Sequence, residues 1–338
     1  MNNNPLDTLS FLVIGGGSIG KRHIKNLQSL GYYNIYCLKR KADQSFEGEF
    51  KVKVVTSIEA IIEKINIVIV CTPTSLHIEG IKIAKILDAA VLMEKPLIHN
   101  AEGLTESNSL VDRNNNLFFI GFMLRYHPLV LKIKELIEQK VVGEIYTARF
   151  SFGSYLPYWH PWENHQDSYA SQKKLGGGVI NTITHELDLI QYFFGTPLSV
   201  TAEKVNFNKL SIEVEEIAEA IFKFNDKLVT LHLDYLQKDY DRNILLLGDN
   251  GSIKWNWHEN KVIVKVHEQQ VNQYPLSNFD VNKLYINELE DFITLYKNKQ
   301  FTHSLNYDHA ALNTKLMLAI HQAAESGQRI KLNQHETN

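Results

Sequence analysis

Two side chains in this sequence combine the chemistry and the setting for proton transfer. Lys95 directly follows an apolar run that predicts a buried strand, and His185 lies on a predicted helix shortly after the glycines at 176–178. An ammonium group can stabilise a developing alkoxide and can also carry a proton, and histidine titrates near neutrality. We therefore expect Lys95 and His185 to be catalytic and to handle the proton of a hydroxyl group. A purely structural histidine is the alternative for His185.

Asn181 lies four residues before His185, and Asp188 lies three residues after it. The pattern predicts one helix over Val179–Phe194, ended by Gly195, which would place the three side chains on one face. An amide cannot take up a proton at ordinary pH. Position 181 is thus excluded from a proton relay, and we expect Asn181 to bind substrate or to fix a histidine tautomer.

A glycine-rich segment follows the first predicted strand and opens the first predicted helix. Gly15, Gly17 and Gly20 fit the G-x-G-x-x-G spacing. In that motif the glycines permit a tight turn, a close approach of a pyrophosphate and close packing of helix on strand. The helix N-terminus adds free N–H groups and a favourable dipole for phosphates. A structural turn is the alternative, but the position of the motif favours a dinucleotide-binding loop.

The end of the second predicted strand bears on the choice of cofactor. An acid is expected there for NAD, because a carboxylate accepts a hydrogen bond from the ribose 2′-hydroxyl. The sequence instead has Lys39, Arg40 and Lys41, with no acid before Asp43. Such cations would attract a 2′-phosphate, so we expect NADP to be preferred over NAD. A solvated basic loop is the alternative.

The first third of the chain alternates short apolar runs with amphipathic helical patterns. This alternation predicts a parallel sheet covered by helices on both faces, as in a doubly wound Rossmann domain. The loops after the fourth and fifth strands then reach the cofactor crevice, which is where Lys95 lies. The predicted strands are Ser10–Ile14, Asn34–Leu38, Lys51–Val55, Ile67–Cys71, Ala90–Met93 and Leu117–Gly121.

After residue 122 the pattern changes to consecutive strands joined by tight turns. This predicts an α+β domain with a large, mostly antiparallel open sheet. We expect domains at residues 1–124 and 125–338, with the C-terminal helix able to pack back on the first. Predicted helices lie at Leu129–Gln139, Val281–Lys299 and Tyr307–Ser326, and predicted strands at Glu144–Phe152, Val200–Val205, Glu215–Phe224, Leu228–Leu236, Arg242–Leu247, Ser252–Trp257 and Lys261–Val266.

The stretch from Tyr155 to Trp162 is rich in aromatic residues, and Tyr169 follows it. Aromatic faces stack on the apolar faces of sugar rings, so we expect Trp159 and Tyr169 to bind substrate. A packing loop is the alternative. The histidines at 160, 165 and 185 match no recognised metal-ligand spacing, and we expect no metal.

Composition excludes several functional classes. The 338 residues are 44% hydrophobic and carry a formal net charge of −3, which gives no reason to expect nucleic acid or an anionic membrane as partner. Cys37 and Cys71 lie in separate apolar runs, which suggests a reducing compartment. The N-terminus lacks the features of a signal peptide. We therefore expect a cytoplasmic protein.

Four motifs in this order resemble the Gfo/Idh/MocA family. They are the glycine loop, Cys71–His77, Glu94-Lys95-Pro96 and the glycines at 176–178 before His185. The resemblance spans Phe11 to about Leu332. It implies an oxidoreductase acting on sugars, polyols or their derivatives, using NAD or NADP, usually without a metal and commonly as an oligomer.

The resemblance also implies roles for individual positions. It implies that Lys95 contacts the reacting hydroxyl and the nicotinamide ribose, and that His185 is the acid/base. Asn181 departs from the aspartate that is common in the family. Cofactor contacts are implied for Gly15, Gly17, Ser18, Ile19, Thr72, Pro73, His77, Glu94 and Lys95. Arg125 and Tyr126 fall at the passage to the substrate domain, and Asp188 matches a frequent pocket residue; we expect all three to bind substrate.

These observations predict hydride transfer between NADP or NAD and a secondary alcohol or ketone of a sugar, sugar acid or nucleotide-linked sugar. A non-catalytic dinucleotide sensor and an enzyme that uses bound nicotinamide without net redox change stay open. The expected partner is a sugar-like small molecule, with no nucleic acid and no membrane. Apolar alternation in Leu228–Leu236 and the family habit predict a homodimer or homotetramer formed through the open sheet face.

Overall fold

The computed structural model describes residues 9–113 and 115–332. The described residues form two compact units, one holding those up to 123 together with 281–312, and the other holding 124–280 and 313–332. The helix predicted over 281–299 therefore belongs with the first unit.

The observed elements follow the predicted order. The strands are β1 (Phe11–Ile14), β2 (Ile35–Leu38), β3 (Lys53–Val55), β4 (Ile67–Val70), β5 (Ala90–Glu94), β6 (Phe118–Gly121), β7 (Ile145–Gly153), β8 (Ser199–Val205), β9 (Ile217–Lys223), β10 (Leu228–Asp234), β11 (Asp241–Gly248), β12 (Gly251–Asn256), β13 (Lys261–Val266), β14 (Asn272–Pro275) and β15 (Ile330–Lys331). The helices are α1 (Ser18–Ser29), α2 (Gln44–Phe50), α3 (His77–Ile86), α4 (Ala101–Leu110), α5 (Pro128–Glu138), α6 (Val179–Thr182), α7 (His185–Phe194), α8 (Asn282–Lys297) and α9 (Tyr307–Ser326).

The sheet of the first unit is parallel throughout its described strands and has the order β3-β2-β1-β4-β5-β6. Every residue of β1 and β4 is buried, as expected for apolar strands with helices on both faces. The strand order reverses between β1 and β4, so the carboxyl ends of these strands form the topological switch point at which such folds bind ligands. The predicted Rossmann architecture is confirmed.

The sheet of the second unit has the order β14-β13-β12-β11-β7-β10-β9-β8-β15 in the described part of the chain. Its pairs are antiparallel except for β7 with β10. In β9, buried Ala218, Ala220 and Phe222 alternate with exposed residues such as Ile221. One face of the sheet is therefore covered and the other is not. The predicted mostly antiparallel open sheet is confirmed.

The single helix predicted over Val179–Phe194 is wrong. The structure has α6 and α7, separated at Ile183, whose φ and ψ of −105° and 58° are not helical. The three residues at 182–184 are β-branched, which weakens helix propensity. The Thr182 hydroxyl also donates to the Gly178 carbonyl at 2.8 Å and contacts the Tyr235 hydroxyl. Helical spacing therefore does not place Asn181 on the same face as His185.

The residues described by the structure include no helix that is long and apolar enough to cross a membrane.

Candidate functional site

The loop between β1 and α1 has the geometry of a phosphate cradle. Gly15 has a φ of 103°, which L side chains rarely adopt. A Cβ at Gly20 would lie 2.0 Å from the Gly15 carbonyl oxygen, so only glycine fits there. A Cβ at Gly17 would instead meet nothing within 4 Å, and Ser18 beside it is exposed while Ile19 is half-buried. The loop is closed where helix packs on strand and open where a pyrophosphate would lie.

The basic residues after β2 are not equivalent. The Lys39 ammonium lies 2.5 Å from Asp43 Oδ2 and 3.9 Å from the centre of the Phe46 ring. The hydrogen bond from Lys39 holds the pKa of Asp43 below its usual value. Arg40 and Lys41 are exposed. Part of the positive charge predicted for this loop is thus balanced by Asp43.

The loops after β4 and β5 are braced by His77, which is only 1% exposed. Its Nε2 lies 3.0 Å from the Thr72 carbonyl oxygen, and its Nδ1 lies 3.1 Å from that of Leu97. Burial lowers the pKa of His77 although both carbonyls favour the cation. Both ring nitrogens therefore lie within hydrogen-bond distance of backbone carbonyl oxygens. The predicted contact of His77 with the cofactor stays a prediction.

Thr72 and Pro73, also predicted to bind the cofactor, are half-buried in the loop after β4. The Thr72 hydroxyl oxygen is buried and has no hydrogen-bond partner within residues 9–113 and 115–332. A buried polar group without a partner is costly. A bound ligand that bonds to this hydroxyl would remove the cost.

Lys95 is half-buried and follows Glu94, the last residue of β5. The Glu94 carboxylate is buried, and its Oε1 lies 2.8 Å from Nε2 of His23 on α1, an imidazole with no exposed surface. Burial would raise the pKa of Glu94, but the hydrogen bond from His23 and nearby positive charges, including that of Lys95, hold the pKa below its usual value. The glutamate is therefore an anion close to Lys95.

His185, the first residue of α7, is 7% exposed, and so is Asn181 on α6. The Asn181 amide nitrogen donates to the Gly177 carbonyl at 2.9 Å. Its oxygen lies 2.9 Å from Nε2 of His321 on α9. The structure therefore joins Asn181 to a histidine that the sequence analysis did not select.

Arg125 and Asp188 bind each other. The guanidinium donates from Nε to Oδ2 at 2.9 Å and from Nη2 to Oδ1 at 2.7 Å, and the side chains are 7% and 0% exposed. The Arg125 guanidinium carbon also lies 4.4 Å from the centre of the Tyr192 ring. This pair holds the segment before α5 to α7. Substrate contacts of Arg125, Asp188 and the half-buried Tyr126 stay predictions.

The aromatic loop after β7 contains a fixed indole beside a small cleft. Trp159 donates from Nε1 to the Ser154 hydroxyl at 2.8 Å and meets the Tyr235 ring edge-on at 5.4 Å. The cleft is lined by Leu156, Trp159, His160, Glu163, His165, Ser168, Tyr169 and Ala170. Trp159 and Tyr169 thus share a cleft that also has polar groups, as a sugar ring requires. Across the described residues, no group of three His, Cys, Asp or Glu side chains is arranged to hold a metal ion.

Sequence reasoning missed His23 and His321. His23 stands beside Ile24 and four positions before Leu27, on the buried stripe of α1. A polar residue on an apolar stripe signals a buried partner, and this signal was available. His321 gives no such signal, because its partners come from distant parts of the chain.

Two family models match the sequence. The model described as "Oxidoreductase family, NAD-binding Rossmann fold" matches residues 9–122, and "GFO/IDH/MocA C-terminal domain" matches residues 130–254. Together they cover more than half of the chain.

Individual proteins are similar over most of the chain. Inositol 2-dehydrogenase of Rhizobium meliloti (strain 1021) is 24% identical over 332 residues, which are 90% of this chain and 94% of the relative. The 2,7-anhydro-N-acetylneuraminate hydratase of Escherichia coli (strain K12) is 23% identical over 261 residues, 74% of this chain and 68% of the relative. A solved structure of levoglucosan dehydrogenase in complex with NADH and levoglucosan superposes with a TM-score of 0.86 at 19% identity, covering 96% of this chain and 100% of that one. The structural likeness shows a common fold.

Proposed function

The chain belongs to the Gfo/Idh/MocA oxidoreductase family, and from this premise we propose that it transfers hydride between a nicotinamide dinucleotide and a secondary alcohol or ketone of a sugar, sugar acid or nucleotide-linked sugar. The observation that carries the proposal is the position of Lys95. It follows β5 of the parallel sheet, in the same unit as the open glycine cradle. The carboxyl ends of such strands are where dinucleotides bind.

The residues of the first unit fit a dinucleotide. The free N–H groups at the start of α1 and the open space at Gly17 suit a pyrophosphate. The buried hydroxyl of Thr72 offers a hydrogen bond to a bound ligand. When bound, the nicotinamide ring supplies or accepts the hydride. The named inositol and levoglucosan dehydrogenases among the relatives support a sugar-like substrate.

In the proposed reaction, Lys95 and His185 have different roles at the substrate oxygen. The Lys95 ammonium stabilises negative charge that develops on that oxygen. His185 takes up or returns the hydroxyl proton. Asn181 exchanges no proton and acts on orientation alone. The buried pair of Glu94 with His23 holds the end of β5, and hence the start of the Lys95 segment, against α1.

We propose NADP as the preferred cofactor over NAD. The cations after β2 support this preference, although Asp43 balances part of the charge of Lys39. Arg40 therefore becomes the residue on which the preference depends most. It is exposed and has the planar guanidinium that suits a phosphate.

The expected assembly is a homodimer or homotetramer formed through the uncovered sheet face of the second unit. Ile221 on β9 and Leu228 on β10 are 48% and 49% exposed. Their side chains leave the sheet on the side opposite to the buried core. Burying them against a second copy would remove apolar surface from water.

One relative favours a second candidate function. The printed name of the Escherichia coli protein is that of a hydratase, and hydration changes no net oxidation state. The alternative is therefore an enzyme that uses its bound nicotinamide in a cycle without net redox change. In that case product would form while the amounts of oxidised and reduced cofactor stay constant.

The experiment that separates these functions follows nicotinamide absorbance in a single turnover. Purified protein is loaded with NADPH or NADH and mixed with a panel of ketosugars, while product is analysed by mass spectrometry. Oxidation of the cofactor in proportion to product supports the dehydrogenase. Product without a change in absorbance supports the alternative, and neither signal across the panel argues against both.

A further inference from the structure

Three polar side chains in the second unit form a chain that ends at Asn181. Lys204 on β8 has its ammonium nitrogen 3.1 Å from Nδ1 of His321. Nε2 of His321 lies 2.9 Å from the amide oxygen of Asn181, whose nitrogen bonds to the Gly177 carbonyl. The ammonium group of Lys204 also forms an ion pair with Oε1 of Glu325, at 2.5 Å.

The direction of each hydrogen bond in this chain is fixed by the donors available. An ammonium group only donates, so Nδ1 of His321 must accept and carries no proton. The proton of the neutral ring is then on Nε2, which donates to Asn181 Oδ1. The hydrogen bond with Gly177 leads to the same orientation of the amide. The Gly177 carbonyl can only accept, so its partner must be the Asn181 amide nitrogen. The Asn181 amide therefore has one permitted orientation.

Burial and the neighbouring lysines keep the ring neutral. Burial lowers the pKa of His321 to about 4, and the charge of Lys204 acts in the same direction. Lys173 also lowers the pKa of His321, whereas Glu325 raises it. A neutral His321 has one N–H and one lone pair, and both are used in the chain.

We propose that His321 is a positioning residue of the candidate active site, which holds the Asn181 amide in one orientation so that position 181 presents an N–H donor to a bound ligand. The inference rests on the proposed function, since it takes position 181 to contact the substrate. The amide oxygen is engaged by His321, and one of the two N–H groups is engaged by Gly177. The second N–H of the amide is left to recognise a ligand, and the fixed orientation decides where that donor lies. The substrate group opposite this N–H is an acceptor, such as a ketone, carboxylate or ring oxygen.

The hydrogen bonds that link Lys204, His321 and Asn181 are tested by imidazole ¹⁵N–¹H NMR spectra of the full-length protein between pH 5.5 and 8. We expect His321 to carry its proton on Nε2 and not to titrate in this range. Asn181→Asp should bring its titration into the range, because an anion replaces the amide oxygen. Lys204→Met should shift the Nδ1 resonance of His321, because Nδ1 loses its hydrogen-bond donor, whereas the exposed Lys209→Met should leave the spectrum unchanged. A proton on Nδ1 in the wild type, or no response to Lys204→Met, would overturn the proposal.

The positioning role is tested by kinetics with whichever of myo-inositol and levoglucosan gives the faster cofactor reduction. We expect His321→Leu to lower kcat/KM about 10-fold, the size of one lost hydrogen bond, with cofactor affinity unchanged. His321→Gln can still donate to Asn181 and should recover most of the loss; it also guards against misfolding of the leucine variant.

The outcomes separate this inference from the proposed function. If the NMR spectra are as expected but both His321 variants keep the wild-type kcat/KM, the positioning role is refuted and the dehydrogenase stands. Should neither probe reduce the cofactor, binding of levoglucosan to the cofactor-loaded protein is measured by calorimetry instead. A weakened affinity in His321→Leu, restored in His321→Gln, then supports the role, and equal affinities refute it.

Discussion

The imidazole of His23 lies 2.8 Å from the carboxylate of Glu94, and the histidine has no exposed surface. The contact joins α1, which follows the phosphate loop, to the last residue before Lys95. A buried charge requires a partner, because its hydration is lost on folding. The pair therefore links the proposed cofactor loop to the segment that carries the proposed catalytic lysine.

The first prediction concerns this pair. His23→Leu should lower the free energy of unfolding by about 3–5 kcal/mol, because Glu94 is left buried without its partner. His23→Gln can donate a hydrogen bond and should cost less. Urea unfolding at pH 7 measures both. The exposed His267→Leu is the control, and an equal stability of His23→Leu and wild type would contradict the prediction.

The same pair predicts a pH dependence. The folded pKa of Glu94 lies below its usual value of 4.5, so the carboxylate stabilises the fold above that value. The stabilisation is lost as the pH falls through the folded pKa. Glu94→Gln should therefore show a shallower loss of stability on the acid side of pH 4.5 than wild type does. Parallel stability curves for the two proteins would count against this assignment.

We expect the buried ion pair of Arg125 and Asp188 to raise the free energy of unfolding. Asp188→Ala removes the carboxylate that pairs with a buried guanidinium, and we expect a loss of about 3–5 kcal/mol. Asp226→Ala breaks an ion pair in which the carboxylate is exposed and Lys227 is half-buried, and it should cost about 0–1 kcal/mol. Urea unfolding compares the two. A similar small loss in both variants would show that the buried pair contributes little.

For the cofactor, we expect tighter binding of NADPH than of NADH by calorimetric titration. Arg40→Ala should weaken NADPH binding selectively, since the guanidinium is proposed to contact the 2′-phosphate. Lys64→Ala, at a basic position outside this loop, is the control. Equal affinities for the two cofactors in the wild type, or an equal loss for both in the variant, would argue against NADP preference.

Light scattering at micromolar concentration tests the proposed assembly. We expect a mass above the 38.9 kDa of one chain. Ile221→Lys together with Leu228→Lys should shift the protein towards the monomer, because association through this sheet face would then bury two charges in the interface. Ile62→Lys is a control, since Ile62 lies in the first unit and is 92% exposed. A monomeric wild type across this range would overturn the proposed interface.

Most strands of the first unit could be predicted from sequence because they are continuous apolar runs, such as β1 and β4, separated by amphipathic segments. β14 and β15 were missed, since they are short and mostly polar edge strands that exist only through pairing with β13 and β8. The interruption at Ile183 was missed for a similar reason. The β-branched residues at 182–184 favour an interruption, but the contact of Thr182 with Tyr235 involves the residue that follows β10, 53 positions along the sequence.

The candidate site was predictable where the chemistry lies in a local motif. The glycine loop and Lys95 follow directly from the ends of strands. The partners of these residues were not predictable in the same way. Pairings such as Asn181 with His321 join positions 140 apart, and sequence spacing carries no information about such contacts.

Turnover of Lys95 and His185 variants tests the central claim most directly. On the substrate that wild type turns over, Lys95→Met and His185→Ala should each lose about 100- to 10,000-fold in kcat, the usual effect of removing an acid or base. Cofactor binding should be largely retained, and Asn181→Ala should lose less. The exposed Lys85→Met and His267→Ala are matched controls and should behave as wild type. Near-wild-type turnover in both Lys95→Met and His185→Ala would contradict the catalytic assignment of these two residues.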